Sequence, residues 1–183
     1  MIATYPKQLQ PLIDYLSSLE NRPDPEELLE HINATHITAE DMKCFVKFND
    51  HRYRRNMVFE NETVELLCLC WKSGQRSPIH DHAQSVCGVK IIGGVATETV
   101  YEMTPSGYIK AMCSRDYKNN CAMVSEDAET HQVANLQGND DEALVTLHIY
   151  SPPLRKMKTY SIDSRKTRTY EPVNEGHIDG CGI

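Results

Sequence analysis

Two histidines one residue apart, His80 and His82, stand in the stretch SPIHDHAQSVCG, and Cys87 follows five positions after the second. On a β-strand, side chains two positions apart lie on the same face. Two imidazoles placed in this way can occupy adjacent positions on one metal ion. The alternative is a pair of surface histidines beside Asp81, and the pair by itself does not decide between the two.

The residues around this pair favour the metal site. The spacing Gly-X5-His-X-His-X4-Cys-X6-Gly is formed by Gly74, His80, His82, Cys87 and Gly94. It resembles the first signature of the cupin barrels, with cysteine where that signature usually has glutamate. Downstream, His131 is followed four positions later by Asn135, as in the second cupin signature, although the usual Pro-X-Gly before the histidine is missing. Two signatures in order are more specific than either alone, so we predict a mononuclear metal site formed by His80, His82 and His131.

The cysteine at position 87 bears on the charge of this site. Where cupins have glutamate, a carboxylate can join the histidines and supply negative charge. With Cys87 in its place, three neutral imidazoles leave a divalent ion with its positive charge and with open positions. Three nitrogen ligands suit zinc, iron, copper or nickel, so ligand type alone does not identify the metal. Such a site favours an anionic, chelating substrate.

Two further groups of residues indicate what that substrate carries. Thr146, His148 and Tyr150 alternate along one segment and share a face, as do Tyr53 and Arg55. If these faces line the interior of a barrel, a histidine, a phenol and a guanidinium reach the metal together. An interior arginine is costly unless it meets an anion, and its planar fork suits a carboxylate.

The elements that must position these residues are mainly strands. Residues 1–50 have the helical spacing and capping residues of a small N-terminal cap with three helical segments, over 6–20, 25–32 and 42–48. Asp24 is the predicted N-cap of the second segment, and Thr38, with Asp41 three positions later, that of the third. Short β-rich runs separated by turns then indicate a barrel over 53–165, followed by a C-terminal tail over 166–183. The predicted strands are 54–60, 62–72, 85–94, 95–104, 107–114, 121–127, 130–136, 143–150 and 156–162. We therefore predict a mainly β fold, a cupin (jelly-roll-like) β-barrel with a small helical N-terminal segment, in a single domain over 1–183.

Composition excludes several classes of function. The net charge of −7 and the lack of lysine and arginine runs argue against nucleic acid as a partner. The sequence has no apolar stretch of membrane-spanning length and no export signal, so we expect a cytoplasmic protein without a membrane partner. Seven cysteines, an odd number, fit a reducing compartment better than a disulfide framework. Cys68 and Cys70 lie in a buried-strand pattern, which favours a core position over a metal site. We expect a monomer.

The combination of YRRN, SPIHDHAQSVC, HQVAN and LHIYSPP resembles the thiol dioxygenases, and the cysteine dioxygenase family above all. The resemblance covers nearly the whole chain. It implies one Fe(II) per chain, held by three histidines. It also implies that L-cysteine binds through its thiolate and amine and reacts with dioxygen to give cysteine sulfinic acid.

The resemblance assigns roles to particular residues. The metal ligands would be His80, His82 and His131. Arg55 would bind the substrate carboxylate with Tyr53 nearby. Tyr150 would lie beside the metal, positioned by His148, and its phenol would donate a hydrogen bond to bound substrate or dioxygen. Thr146 stands where a serine is usual in this hydroxyl–imidazole–phenol relay.

Other positions differ between branches of the family. Cys87 lies where animal members form a thioether to the tyrosine, so a Cys87–Tyr150 crosslink is one expectation and a buried free thiol is the other. Gly88 replaces an aromatic residue of the animal type, and Met157 resembles the bacterial branch. The Ser151-Pro152 bond matches a cis peptide in the family.

Two alternatives remain open at this point. The related 3-mercaptopropionate dioxygenases typically have glutamine where this chain has Arg55, so Arg55 favours cysteine over that or another small thiol. A cupin that binds a metal without oxidising anything, as a sensor or storage module, is the second alternative. Such a protein would not need Arg55 and Tyr150 to converge on the metal.

Overall fold

The computed structural model describes residues 5–125, 129–138 and 143–175, and these residues form a mainly β structure. The helices are α1 (Gln10–Ser18) and α2 (Pro25–Ala34). The strands are β1 (Arg54–Glu60), β2 (Glu65–Trp71), β3 (Ile79–His80), β4 (Val86–Gly93), β5 (Val95–Met103), β6 (Ile109–Lys118), β7 (Ala122–Ser125), β8 (Thr130–Ala134), β9 (Leu144–Ser151), β10 (Met157–Ser161) and β11 (Ser164–Tyr170). In this described part of the chain, no helix is long and apolar enough to cross a membrane.

The strands form two antiparallel sheets, which confirms the predicted cupin barrel with its small helical segment. One sheet has the order β1-β2-β9-β4-β7 and the other the order β11-β10-β3-β8-β5-β6. Side chains facing the inside of the barrel form one apolar cluster. The opposite face of the five-stranded sheet packs against the helices in a second cluster. Strands β2 and β9 are therefore buried along their whole length.

This double burial explains the continuous apolar run in β2. Leu67 and Leu69 point into the barrel, whereas Cys68 and Cys70 point toward the helices. Both cysteines are free thiols packed in the core, as expected. The expectation of a chain without disulfides does not hold at Cys44, which is disulfide-bonded.

The N-terminal cap contains two helices, where three helical segments were predicted. Asp24 caps α2 as expected, because its side chain accepts hydrogen bonds from the backbone N–H groups of Glu26 and Glu27. Thr38 and Asp41 also make the predicted reciprocal capping bonds, yet the chain after them forms turns and no helix. The following residues, CFVKF, are aromatic or β-branched at three of five positions, and such residues extend a nucleated turn poorly.

Two contacts attach the cap to the barrel. The Lys90 ammonium on β4 is buried and donates to the carbonyl of Ile32 at the end of α2, at 3.1 Å. Gly88 on the same strand faces α2 so closely that an added Cβ would lie 2.5 Å from the Ile32 Cδ1 atom. The glycine of this strand therefore allows the helix to pack directly on the sheet.

The strand predictions are confirmed, with two additions. Each of the nine predicted runs overlaps an observed strand. The structure adds the two-residue strand β3 and the strand β11, which continues past residue 165 into the predicted tail. The single-domain organisation stays a prediction. The acidic residues Asp140, Asp141 and Glu142, whose sequence suggests a solvated turn, and the tail residues from 176 onward, with Cys181, lie outside the described residues.

Candidate metal centre

The three predicted metal ligands meet inside the barrel. His80 ends β3 and lies directly opposite His131 of β8, while His82 follows two residues after His80. One ring nitrogen from each of the three lies within 4.8 Å of the others. All three side chains are buried. The structure thus brings together residues that are separated by about fifty positions in the sequence.

Hydrogen bonds fix the orientation of two of these rings. His80 Nδ1 donates to the Pro78 carbonyl at 2.9 Å, and His131 Nδ1 donates to Glu98 Oε1 at 2.6 Å. Because a carbonyl and a carboxylate accept, both Nδ1 atoms carry the proton and both Nε2 atoms keep a free lone pair. His131 Nε2 lies 3.0 Å from His82 Nε2. The Nε2 atoms therefore converge on one point, as a metal site requires.

Burial also keeps the imidazoles of His80 and His82 neutral. Desolvation, strengthened by the neighbouring His131, lowers the pKa of His80 to about 3 and the pKa of His82 well below its ordinary value. Metal ligation needs the deprotonated ring nitrogen, so this environment favours it. His82 Nδ1 has no hydrogen-bond partner among the described residues. The donor set, the orientation and the charge state all fit a divalent transition-metal ion.

Glu98 was missed at the level of sequence. It lies on β5, is 8% exposed and contacts the ligand His131 through a short hydrogen bond. Ala96 and Glu98, two apart on β5, are buried while their neighbours in the strand are less buried, so Glu98 faces the inside of the barrel. The sequence carries no signal that separates this carboxylate from an exposed one. A carboxylate on the inner face of a barrel strand has a reason to be there only if it meets a donor.

The predicted substrate-binding residues line the same cavity as His80 and His131. Arg55 is 5% exposed and its guanidinium carbon lies 5.4 Å from the centre of the Tyr150 ring. Tyr53 stacks on Trp71 with ring centres 4.2 Å apart. Arg55, Tyr53 and Tyr150 form part of the wall of a small internal cavity. Its lining is Tyr53, Arg55, Leu69, Trp71, Ser77, His80, His131, Val133, His148 and Tyr150. A larger surface cleft of about 570 Å³ lies elsewhere, along 152–158, and no ligand histidine lines it.

Arg55 also has a protein partner that the sequence did not indicate. The Glu65 side chain is completely buried, and its Oε1 atom lies 3.6 Å from Arg55 Nη2. Burial raises the pKa of Glu65, and the opposite effect of the Arg55 charge only reduces this rise. The anion expected beside an interior arginine is thus already supplied in part by the protein.

Thr146, His148 and Tyr150 form the expected relay on β9. Thr146 Oγ1 accepts from Trp71 Nε1 at 3.1 Å and lies 3.0 Å from His148 Nε2. His148 Nδ1 lies 3.1 Å from the Tyr150 hydroxyl. The indole can only donate, so the buried threonine hydroxyl is fully satisfied when it donates to His148. His148 then donates to the phenol oxygen, and the phenol hydrogen is left for a group in the cavity.

Burial keeps the relay in these protonation states. It lowers the pKa of His148 well below its ordinary value and raises the pKa of Tyr150. The imidazole is therefore neutral and the phenol keeps its hydrogen. The Ser151-Pro152 peptide bond after this strand is cis, as expected.

Cys87 lies directly across from Tyr150 in the pairing of β4 with β9. Both side chains are buried, and burial raises the pKa of the Cys87 thiol. Directly opposed residues have Cβ atoms about 5 Å apart, within reach of a bond between sulfur and the phenol ring. Cys87 is a free thiol in this structure.

The other residues of the two signatures hold loops in place. Gly74 and Gly94 have φ of 78° and 81°, which an L side chain rarely adopts. Asn135 is buried and its side chain donates to the Trp71 carbonyl. Asp81 accepts hydrogen bonds from the Lys158 N–H and the Tyr160 hydroxyl, so this carboxylate organises the loop between the two histidines.

A cupin barrel with three converging, buried histidines defines a metal-binding cupin. Comparisons with known proteins narrow this class. The family model of cysteine dioxygenase type I matches residues 3–163. The chain belongs to that family and is a dioxygenase enzyme.

Individual relatives agree with this assignment. Cysteine dioxygenase type 1 of Danio rerio is 32% identical over 162 residues, which cover 85% of this chain and 80% of that protein. The Rattus norvegicus protein of the same name is 32% identical over 155 residues, covering 81% and 76%. The crystal structure of TT1209 from Thermus thermophilus has a TM-score of 0.51 at 17% identity, covering 61% of this chain and 93% of that one. This last likeness concerns the fold alone.

Proposed function

We propose that the protein oxidises the thiol of L-cysteine with dioxygen to cysteine sulfinic acid at one Fe(II) held by His80, His82 and His131. The observation that carries this proposal is that a buried guanidinium, a phenol and two of the ligand histidines, His80 and His131, line one cavity. A thiol RSH and O2 combine to RSO2H, so both oxygen atoms end on sulfur and no further reductant is needed.

The predicted substrate-binding and relay residues each have a part in this reaction. Fe(II), when bound, would supply adjacent positions for the thiolate and dioxygen and the electrons that activate dioxygen. Arg55 binds the substrate carboxylate and fixes its orientation, with Tyr53 against the same wall. Tyr150 donates its free hydrogen to bound substrate or dioxygen, and His148 and Thr146 hold that hydrogen in place.

Two alternatives make different use of the same site. A dioxygenase for 3-mercaptopropionate or another small thiol would keep the metal site and change the substrate. Arg55 lines the cavity where the 3-mercaptopropionate dioxygenases typically have glutamine, and this guanidinium favours L-cysteine. A cupin without oxidising activity would have no use for the relay of Thr146, His148 and Tyr150 beside the histidines.

The first experiment measures dioxygen uptake by the Fe(II)-loaded protein with L-cysteine and, in parallel, with 3-mercaptopropionate. Uptake with L-cysteine, matched by an equal amount of sulfinate, supports the proposal. Preference for 3-mercaptopropionate would keep the site and overturn the substrate. No uptake with either thiol by protein that holds iron would favour the cupin without oxidising activity.

Two variants test the assigned roles. Arg55→Ala should chiefly weaken the binding of L-cysteine, and unchanged affinity and rate would overturn its role. His131→Ala should abolish the retention of iron after gel filtration, because two imidazoles alone hold the ion weakly. A variant at position 131 that stayed fully loaded and active would contradict the ligand assignment.

We also propose that Cys87 and Tyr150 can form a thioether. The thiol S–H and one ring C–H would be lost and an S–C bond formed, with two electrons and two protons passing to dioxygen. The crosslink lowers the intact mass by one hydrogen molecule, and mass spectrometry after turnover measures this. Cys87→Ser, which cannot form the bond, is the control, and an unchanged wild-type mass would leave Cys87 as a buried free thiol.

A further inference from the structure

The C-terminal segment 171–175 runs beside β1, which is the edge strand of its sheet. The Glu175 N–H donates to the Arg55 carbonyl at 2.8 Å, and the Met57 N–H donates to the Glu175 carbonyl at 3.3 Å. The Glu175 carboxylate lies 3.8 Å from the guanidinium of Arg54. The segment is thus attached to the strand that carries the predicted substrate-binding arginine.

Asn174 of this segment reaches into the core between two charged groups. Arg55 Nε donates to Asn174 Oδ1 at 2.8 Å, and Asn174 Nδ2 donates to Glu65 Oε2 at 2.9 Å. The other oxygen of Glu65 accepts from the Leu154 N–H at 3.0 Å. Only the amide oxygen can accept from a guanidinium and only the amide nitrogen can donate to a carboxylate, so the orientation of the Asn174 amide is determined by its partners.

These contacts leave one part of the guanidinium available. Arg55 Nη2 is buried, lies 3.6 Å from Glu65 Oε1 and makes no hydrogen bond with any residue that the structure describes. A buried donor without an acceptor is destabilising. The guanidinium lines the cavity that His80, His131 and Tyr150 also line. Glu65 thus partly compensates the charge at Nη2 but leaves its hydrogen-bonding capacity unused, and an acceptor bound in the cavity can fill that position.

We propose that Asn174 is a positioning residue for carboxylate recognition. Its amide oxygen accepts from Arg55 Nε, and its amide nitrogen holds Glu65 beside Nη2, so the guanidinium is fixed with its remaining hydrogens available to a substrate carboxylate in the cavity. The C-terminal segment, which lies beyond the 3–163 region matched by the family model, is then part of the substrate site. This inference rests on the proposed role of Arg55. It implies selectivity for thiols that carry a carboxylate over thiols that lack one.

The test compares two ligands by anaerobic calorimetric titration of the iron-loaded protein, so that binding is measured without turnover. L-cysteine has the carboxylate, and 2-aminoethanethiol has the same thiol and amine without it. Asn174→Ala should weaken L-cysteine binding about tenfold, the loss expected when an orienting hydrogen bond to a charged group is removed. Binding of 2-aminoethanethiol should not change. Glu175→Gln alters the same segment without touching the amide and, as a partly exposed ion pair, should change either affinity by less than about twofold.

A double-mutant cycle with Arg55→Ala separates this inference from the proposed function. In that background Asn174→Ala should cause no further loss of L-cysteine affinity, because the positioned group is gone. Equal weakening of both ligands, or an additive loss in the double variant, would mean that Asn174 only stabilises the fold. If Arg55→Ala weakens L-cysteine binding and Asn174→Ala does not, the proposed function stands and the positioning role is overturned. If Arg55→Ala itself has no effect, both fall.

Discussion

The phenol hydrogen of Tyr150 has a defined direction because every other hydrogen in its relay is already used. Trp71 donates to Thr146, Thr146 to His148, and His148 to the phenol oxygen. Such a preorganised donor is most effective where negative charge develops in the transition state. We therefore expect the relay to lower the energy barrier of the chemical step more than it strengthens substrate binding.

Replacing Tyr150 by phenylalanine should accordingly lower kcat and leave the KM for L-cysteine nearly unchanged. We expect a loss of roughly 100-fold, within the range for removal of one positioned proton donor. Steady-state dioxygen uptake measures both parameters. Tyr108→Phe, on the exposed hairpin between β5 and β6, is the control. A rise in KM at constant kcat would place Tyr150 in substrate binding instead.

The carboxylate of Glu98 does not contact the metal position itself but the ligand His131. Its hydrogen bond with His131 fixes the ring and increases the electron density on Nε2. Glu98→Gln keeps the shape and loses the charge, so we expect metal affinity to fall about 10- to 100-fold. Competition with a chromogenic chelator measures that affinity directly. Glu102→Gln, on the exposed part of the same strand, should bind metal as the wild type does, and equal affinity in both variants would contradict the role of Glu98.

At the scale of elements, helix α2 and strand β4 are packed without room for a side chain at Gly88. A Cβ there would lie 2.5 Å from Ile32 Cδ1 and 3.2 Å from Leu28 Cδ2. Gly88→Ala should therefore lower the free energy of unfolding by about 1–3 kcal/mol, the usual cost of overpacking. Urea denaturation measures it, and Gly138→Ala, where an added Cβ meets nothing within 4 Å, is the control.

A second substitution tests whether this cost has the assigned cause. Ile32→Val removes the Cδ1 atom that an alanine at position 88 would meet. The double variant should be less destabilised than the sum of the two single variants predicts, because the clash is relieved. Strict additivity would show that Gly88→Ala acts on the strand itself and not on its contact with α2.

Sequence patterns predicted these elements unevenly, for physical reasons. Alternation and turn residues marked nine strands, because strands with one or two apolar faces have a strong periodic signal. The strand β3 has two residues, too few for any periodicity, and β11 is polar and exposed along most of its length. The third predicted helix had a correct cap at Thr38 but lacked residues that extend a helix.

At the scale of the whole molecule, the metal ligands and the relay could be predicted, because their spacing resembles that of a known family. Glu65, Glu98 and Asn174 could not be, since each acts through a contact between elements far apart in the sequence. A buried carboxylate has the same appearance in the sequence as an exposed one. Its partner is known only from the three-dimensional structure, in which the two sheets bring distant residues into contact.

The cavity also couples the stability of the molecule to pH. Burial lowers the pKa of His80 to about 3, and those of His82 and His148 well below the ordinary value. In the unfolded chain these groups bind protons below about pH 6.5, whereas the folded protein does not. The unfolded state then holds more protons, so stability is fully present above about pH 6.5 and is lost as the pH falls. Each group contributes up to about 1.4 kcal/mol per pH unit.

His148→Gln tests this coupling in protein stripped of metal by a chelator, so that metal release does not enter the measurement. The neutral amide removes one titrating group, and the slope of unfolding free energy against pH below pH 6.5 should become shallower by up to about 1.4 kcal/mol per pH unit. Urea denaturation at several pH values gives that slope. His36→Gln, at an exposed position, controls for the loss of a histidine elsewhere. A slope equal to that of the wild type would mean that His148 also binds its proton in the folded state, so that it donates to both Thr146 and Tyr150, and the assignment of a neutral imidazole to the relay would be wrong.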